Sequence, residues 1–325
     1  MTDFQKCNIN ENETELKKLW LSSFDDEVDA LDLFFERNKS TMSVYCAFAD
    51  SKIISALYLL PCTINGKNSH YLCGASTDIN FRGKGIMSAL IEYALKSAKE
   101  SGDCYSALFP ANEKLYSFYS KLGYEQKCTA IFNEISRKSL EKLSLQTDEK
   151  FNNYETSALQ TEKNYKNTDK TPILQDELQC NVLQNKVFGK DFLLYDAKFI
   201  AFARDYYKIY GVQSIETKNC FALFEKTDEK ATVIYSLFND FSVLAKELLK
   251  ASKAQNFVFV NKATSCDNVF IDNKFIDNSR TVMCGMLKAL NCKAEKNSDK
   301  NYITDDIKNC KTDIPDDVFI GLTLN

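Results

Sequence analysis

A single histidine, a single tryptophan, four prolines and ten glycines are all that 325 residues hold of these types. With His70 the sole imidazole, set after the turn-forming stretch at 65–69 and without a visible catalytic partner, histidine-based catalysis and multi-histidine metal sites are excluded. The twelve cysteines contain no C-x-x-C pair, and close pairs such as Cys284 and Cys292 lack zinc-ligand spacing, so no metal is expected. Cys46, Cys62, Cys73, Cys104 and Cys220 sit in apolar, strand-like runs, where a reduced thiol behaves as a small hydrophobe. No apolar run approaches the ~20 residues of a membrane span. The N-terminus lacks a basic segment followed by an apolar one, which predicts a cytoplasmic protein with no membrane partner. Charge of one sign is also missing. The net of −4 gives no basic face for nucleic acid and leans weakly toward cationic small molecules.

What is present is an ordinary soluble balance, 44% hydrophobic and 26% charged, in a chain long enough for one large domain or two. Asn12 and Glu15 have capping-box spacing ahead of Leu16, Leu19, Trp20 and Phe24, which predicts a first helix; Val28, Leu31, Phe34 and Phe35 predict a second. Two apolar runs around 50–52 read as a hairpin, and Asn65-Gly66 marks another turn before a strand from about Tyr71. Helix, strand, helix and strand then follow to residue 136. From 137 to 172 the chain is polar without sustained period and reads as a linker or excursion. Residues 173–325 repeat the plan in weaker form, with a helix near 196–211, a strand-turn-strand, a helix from Phe241, a strand at 256–261 and an apolar strand at the terminus.

The stretch "GASTDINFRGKGIMSALIEYAL", Gly74–Leu95, places two glycines and two cations between a strand and a helix. The first N–H groups of a helix lack partners and carry the positive end of its dipole. Glycines let several such groups curl around one anion, and Arg82 and Lys84 add full charges, a combination suited to pyrophosphate. Two other phosphate loops fail on spacing. Lys84 is followed by Gly85 rather than Ser or Thr, and Asp78 stands where a Walker A motif needs glycine. Gly83 and Gly85 are followed by Ser88, which breaks a dinucleotide fingerprint. In the second half Asn239-Asp240 occupies the corresponding junction, without glycines or cations.

"TDINFRGKGIMSALIEYAL" resembles the acyl-CoA-binding segment of the GNAT (Gcn5-related) N-acetyltransferases, whose loop reads R/Q-x-x-G-x-G/A. Arg82, Gly85 and Met87 fall on those positions, Met87 departing from the small residue and threatening to crowd the loop. "ANEKLYSFYSKLGYE" is similar to the helix that carries the family's tyrosine. The resemblance covers most of 1–136. The second half resembles, by element order alone, the degenerate repeat of Eis-like tandem proteins, and the chain after 262 is too short for their sterol-carrier-like domain.

The resemblance implies an α+β fold class: tandem GNAT folds, each a mixed, mostly antiparallel sheet flanked by helices, with a catalytic domain at 1–136 and a degenerate one at 173–325. It implies acetyl-CoA as acyl donor. The pantetheine would pair with Thr77, Asp78 and Ile79; the backbone from Arg82 through Gly83, Lys84, Gly85 and Ile86 to Met87 would hold the pyrophosphate; Asn112 would contact the pantetheine arm. Tyr119 is the implied general acid, with Tyr116 as backup, and the terminal carboxylate of Asn325 is a candidate base. The implied partner is a primary amine of a small molecule or peptide; a homo-oligomer stays open. Aminoacyl-tRNA-dependent transfer and a non-catalytic acyl-CoA-binding regulatory module are the competing readings.

Overall fold

The computed structural model describes residues 2–146, 172–188, 193–262, 271 and 273–290. In chain order the elements are β1 (Asp3–Lys6), α1 (Ile9–Leu21), α2 (Val28–Asn38), β2 (Ser43–Ala49), β3 (Lys52–Ile64), β4 (Lys67–Thr77), α3 (Ile86–Glu100), β5 (Tyr105–Leu108), α4 (Glu113–Lys121) and β6 (Glu125–Ser136). There follow α5 (Arg137–Ser144), α6 (Glu177–Phe188), β7 (Leu193–Leu194), α7 (Ala197–Ile209), β8 (Gln213–Glu216), β9 (Cys220–Lys226), β10 (Lys230–Phe238), α8 (Phe241–Ala251), β11 (Asn256–Lys262) and β12 (Asn278–Ala289). Among the described residues no helix is long and apolar enough to cross a membrane. The chain forms two compact units. One takes Met1–Lys127 with a returning segment that begins at Gly285; the other centres on Cys128–Cys284. Within the segment read as a linker or excursion, Arg137–Ser144 is helical, and the strand residues 285–289 group with the first unit. Most of the expected linker, 147–171, and the expected terminal strand lie outside the described residues.

In the first unit β1, β2, β3 and β4 form an antiparallel meander, β5 joins β4 in parallel, and Met286–Ala289 of β12 runs antiparallel to β5. Local chemistry sets the corners. Asp50, Ser51, Asn65 and Gly66 all have positive φ, the pairwise left-handed geometry that two-residue hairpins need. The first helix starts a turn earlier than Asn12 predicts. Asn8 caps it by accepting from the Asn10 N–H, and its own amide donates to Glu11 at 2.6 Å. The earlier cap carries Ile9 into the core, which the later one would leave outside the helix.

Alternation along β3 splits the core in two. Leu57 and Leu59 face Leu90, Ile91, Ala94 and Leu95 of α3, together with Tyr119 and Met286. On the opposite face Tyr58 packs edge-on against Trp20, Phe34 and Phe35 of α1 and α2, at centroid distances of 4.9, 5.9 and 5.8 Å. Between Ala56 and Tyr58 the β3–β4 register slips, so β4 carries a bulge at Gly74.

The second unit repeats the order. β8, β9 and β10 are antiparallel, α8 follows, and β11 returns parallel to β10, with Ala130–Ser136 of β6 antiparallel along its other edge. Arg137 anchors α5 by donating to the carbonyls of Leu249, Ser252 and Ala254 at the end of α8.

Gly74 has φ +59°, and an added Cβ would lie 2.2 Å from Trp20 Cζ3 and 2.6 Å from Tyr58 Cδ2. Gly74→Ala is expected to cost about 3 kcal/mol from overpacking and backbone strain together. Urea unfolding measures it; a loss below about 1 kcal/mol would show that the bulge relaxes without cost.

Candidate functional site

The site grows from the divergence of β4 and β5. Their parallel register runs only from Ser69–Tyr71 against Tyr105–Ala107, and β4 then continues to Thr77. A strand leaving its neighbour presents backbone groups along the gap, where an extended ligand can pair. At the end of β4, Asp78 caps a short turn at Ile79–Phe81 by accepting from the Asn80 N–H, and its own N–H donates to the Ile54 carbonyl. Gly83 and Gly85 follow with φ of +76° and +78°.

No side chain caps α3, whose first backbone bond runs from Ala89 to the Gly85 carbonyl. The N–H groups of Ile86, Met87 and Ser88 therefore point out of the helix end without intrahelical acceptors. A Cβ at Gly83 or Gly85 would meet nothing within 4 Å, so the space above this backbone is open. Met87 does not crowd it: its side chain, like that of Ile86, packs into the α3 core.

Both cations are held by their own loop. Arg82 donates from Nε to the Thr77 carbonyl at 2.8 Å and from Nη2 to Ser23 Oγ at 3.2 Å. Lys84 donates to the Asn80 carbonyl at 2.9 Å and lies 5.0 Å from the Phe81 ring centroid. Their charges stay beside the nest while the side chains brace it. Of the three residues expected to pair with pantetheine, Asp78 already donates its N–H, Thr77 already accepts through its carbonyl, and Ile79 is exposed on the turn.

Helix α4 flanks the gap. Asn112 caps it by accepting from the Lys114 N–H at 3.2 Å, which leaves the carboxamide N–H groups for another acceptor. Tyr119 is buried between Phe118 and Tyr124, with ring centroids at 5.0 and 5.7 Å. Burial first, and then the Cys73 thiol on β4, push its phenol up to about 12. Burial likewise raises Cys73 itself. Asn325 lies outside the described residues.

Three features escaped the sequence. His70, read as partnerless, is buried and pairs through Nδ1 with Asp103 at 2.6 Å, 33 residues away; it sits on the paired half of β4, before the divergence. Cys104, read as a thiol, is disulfide-bonded. Lys288 reaches α4 from the far end of the chain, donating to the Leu122 carbonyl. No local pattern signals such long-range pairs. In the second unit, the matching junction is closed from within. Asp240 caps α8 with its own carboxylate, accepting from the Ser242 N–H at 2.7 Å.

Residues 8–127 match the family model of an acetyltransferase (GNAT) domain. The match identifies a GNAT acetyltransferase domain within the first unit. No match is found among curated proteins. The fold is similar to that of a GCN5-related N-acetyltransferase from Kribbella flavida, with TM-score 0.60 and 12% identity over 89% of this chain and 72% of that one. A probable N-acyltransferase of unknown function from Enterococcus faecalis V583 gives 0.63 and 14% over 89% and 73%. Eis1 from Mycobacterium abscessus gives 0.58 and 9% over 90% and 74%. These likenesses extend the GNAT-type architecture to most of the chain.

Burial raises the phenols of Tyr45, Tyr58, Tyr119, Tyr124 and Tyr235 in the folded state. In the unfolded chain they ionise near about 10. The stability they contribute is thus complete below about pH 10 and lost as the pH rises toward their folded values. Denaturant midpoints measured from pH 8 to 11 are expected to hold and then fall steeply. A flat profile would show that these rings are hydrated in the folded protein.

Proposed function

We propose that the protein transfers an acetyl group from acetyl-CoA to a primary amine of a small molecule or peptide, by direct attack on the thioester. The observation that carries this reading is the uncapped, glycine-lined start of α3 at the end of a strand that has left its neighbour. An anion nest beside a free strand edge suits a ligand with a pyrophosphate at one end and an amide-bearing arm at the other. Arg82 to Met87 would hold the pyrophosphate, β4 before Thr77 the pantetheine, and the free Asn112 amide its carbonyl groups.

In this reading the amine nitrogen bonds to the thioester carbon, the carbonyl becomes an oxyanion, and its collapse expels the CoA thiolate. Tyr119 gives that thiolate its proton, and the proton the attacking nitrogen sheds as the amide forms restores the phenol through solvent. A phenol at about 12 is a weak acid in water, but the same burial raises thiols at this place, as it raises Cys73. A thiolate released there is a correspondingly stronger base, so the proton transfer is closer to balanced than reference values suggest. The attacking ammonium must first lose a proton, and the Asn325 carboxylate is the proposed acceptor.

Calorimetry with acetyl-CoA tests the site. The parent is expected to bind at micromolar scale, about 8 kcal/mol, and Gly85→Glu to lose at least about a hundredfold, since its carboxylate occupies the nest and repels the pyrophosphate. No binding by either protein would sink the acetyltransferase reading. Turnover separates the enzyme from an acyl-CoA sensor. Tyr119→Phe is expected to lower kcat for thiol release with an accepted amine by about a hundredfold, with acetyl-CoA affinity unchanged. Tight binding with no thiol release across amines would favour the sensor.

A further inference from the structure

The carboxyl-terminal turn of α4 is wrapped around Tyr119. The Tyr119 carbonyl accepts from Leu122 at 3.0 Å and from Tyr124 at 3.2 Å, while Gly123, in the left-handed conformation, donates to Ser120. This is a Schellman-type ending, and it leaves the Leu122 carbonyl facing outward from the helix end. Lys288 fills that position. Its half-buried ammonium donates to the Leu122 carbonyl, where the helix dipole favours a cation. A Cβ on Gly123 would lie 3.5 Å from Lys288 Cε and Nζ, so the lysine stem lies along the glycine. The same ammonium lies 5.9 Å from the Tyr124 ring centroid. Tyr124 in turn shares a 2.7 Å hydrogen bond with Ser106, the residue directly across from Lys288 in the sheet.

We propose that Lys288 is the positioning residue for Tyr119: it closes a ring of contacts through Leu122, Tyr124 and Ser106 that fixes where the phenol stands at the β4–β5 gap. The proposal rests on the reading of Tyr119 as general acid. Lys288 itself touches no reacting atom. Burial holds its ammonium below the usual lysine range while Glu92 on α3 sustains the charge, so the contact is made by a partly desolvated cation. Such a bond is stronger and more directional than an exposed one. Its strand neighbour Met286 lies in the same core as Tyr119, so the segment that brings the lysine also supplies packing.

Hydrogen exchange of the full-length chain at neutral pH reads this clamp directly. Lys288→Met is expected to speed exchange at Leu122, Gly123 and Tyr124 by more than about tenfold, with α3 unchanged. Lys288→Arg, which keeps the charge and a donor, is expected to restore protection. Where an amine is turned over, Lys288→Met is expected to lower kcat about tenfold at constant KM for acetyl-CoA, and Lys288→Arg to recover most of it. Unchanged exchange in Lys288→Met, or an arginine variant no better than methionine, overturns the proposal. Should the methionine variant not fold, Lys288→Gln gives the same comparison with a neutral donor. Normal turnover by Tyr119→Phe overturns the acid reading itself, and it is told apart because the exchange at 122–124 does not depend on that ring's hydroxyl.

Discussion

Gly74 sits where a side chain cannot. The Trp20 and Tyr58 rings occupy the volume a Cβ would need, and the positive φ turns β4 at that point. The aromatic packing that makes this face of the sheet stable is thus the same packing that requires a bulge in β4. A bulge increases local twist and bends the strand that carries it. On the paired side of Gly74 lie Ser69–Tyr71, in register with β5; beyond it lie the diverging strand, the capped turn and the glycine loop. The gap on which the proposed chemistry depends is therefore a consequence of core packing.

In the proposed reading, the loop that follows would hold pyrophosphate with little beyond its own backbone. Its partial charges are backbone N–H groups, fixed by the helix and the two left-handed glycines. Arg82 and Lys84 spend their hydrogen bonds on loop carbonyls and on Ser23, so they set the loop's shape and field before any anion arrives. A preformed nest loses less entropy on binding than one that must be gathered. In the core Tyr119 is held the same way, by neighbours that leave its phenol little freedom.

Much of this was legible in the sequence because it is local. The hairpin turns read around 50–52 and at Asn65-Gly66 and the second helix read from Val28 are written in adjacent residues; the structure turns at 50–51 and 65–66 and forms that helix over Val28–Asn38. The first helix was misplaced by one turn because Asn8-x-x-Glu11 and Asn12-x-x-Glu15 are both capping-box spacings, and only the burial of Ile9 decides between them. The glycine loop was legible through its motif. What was not legible is what tertiary contact decides: the His70–Asp103 pair, the disulfide at Cys104, and the return of Met286–Ala289 to β5. The His70–Asp103 pair spans 33 residues and the β12 return far more, and neither composition nor period encodes such contacts or which thiol finds a partner.

The two strand-to-helix junctions make the strongest physical contrast in the chain. Both follow the last strand of an antiparallel meander, and both begin a helix whose next strand returns in parallel. At α8 the cap is an aspartate, and its carboxylate takes the Ser242 N–H at 2.7 Å. At α3 the cap is a glycine with nothing to offer. A helix start needs negative charge or an acceptor, and it draws one from its own chain or from a ligand. Asp240 satisfies the need internally and closes its junction to anions by occupation and by charge. Gly85 leaves the need unmet, which stabilises the empty protein less but lets an arriving phosphate gain the full interaction. One architecture thus gives a self-capped junction in one unit and an uncapped, glycine-lined one in the other.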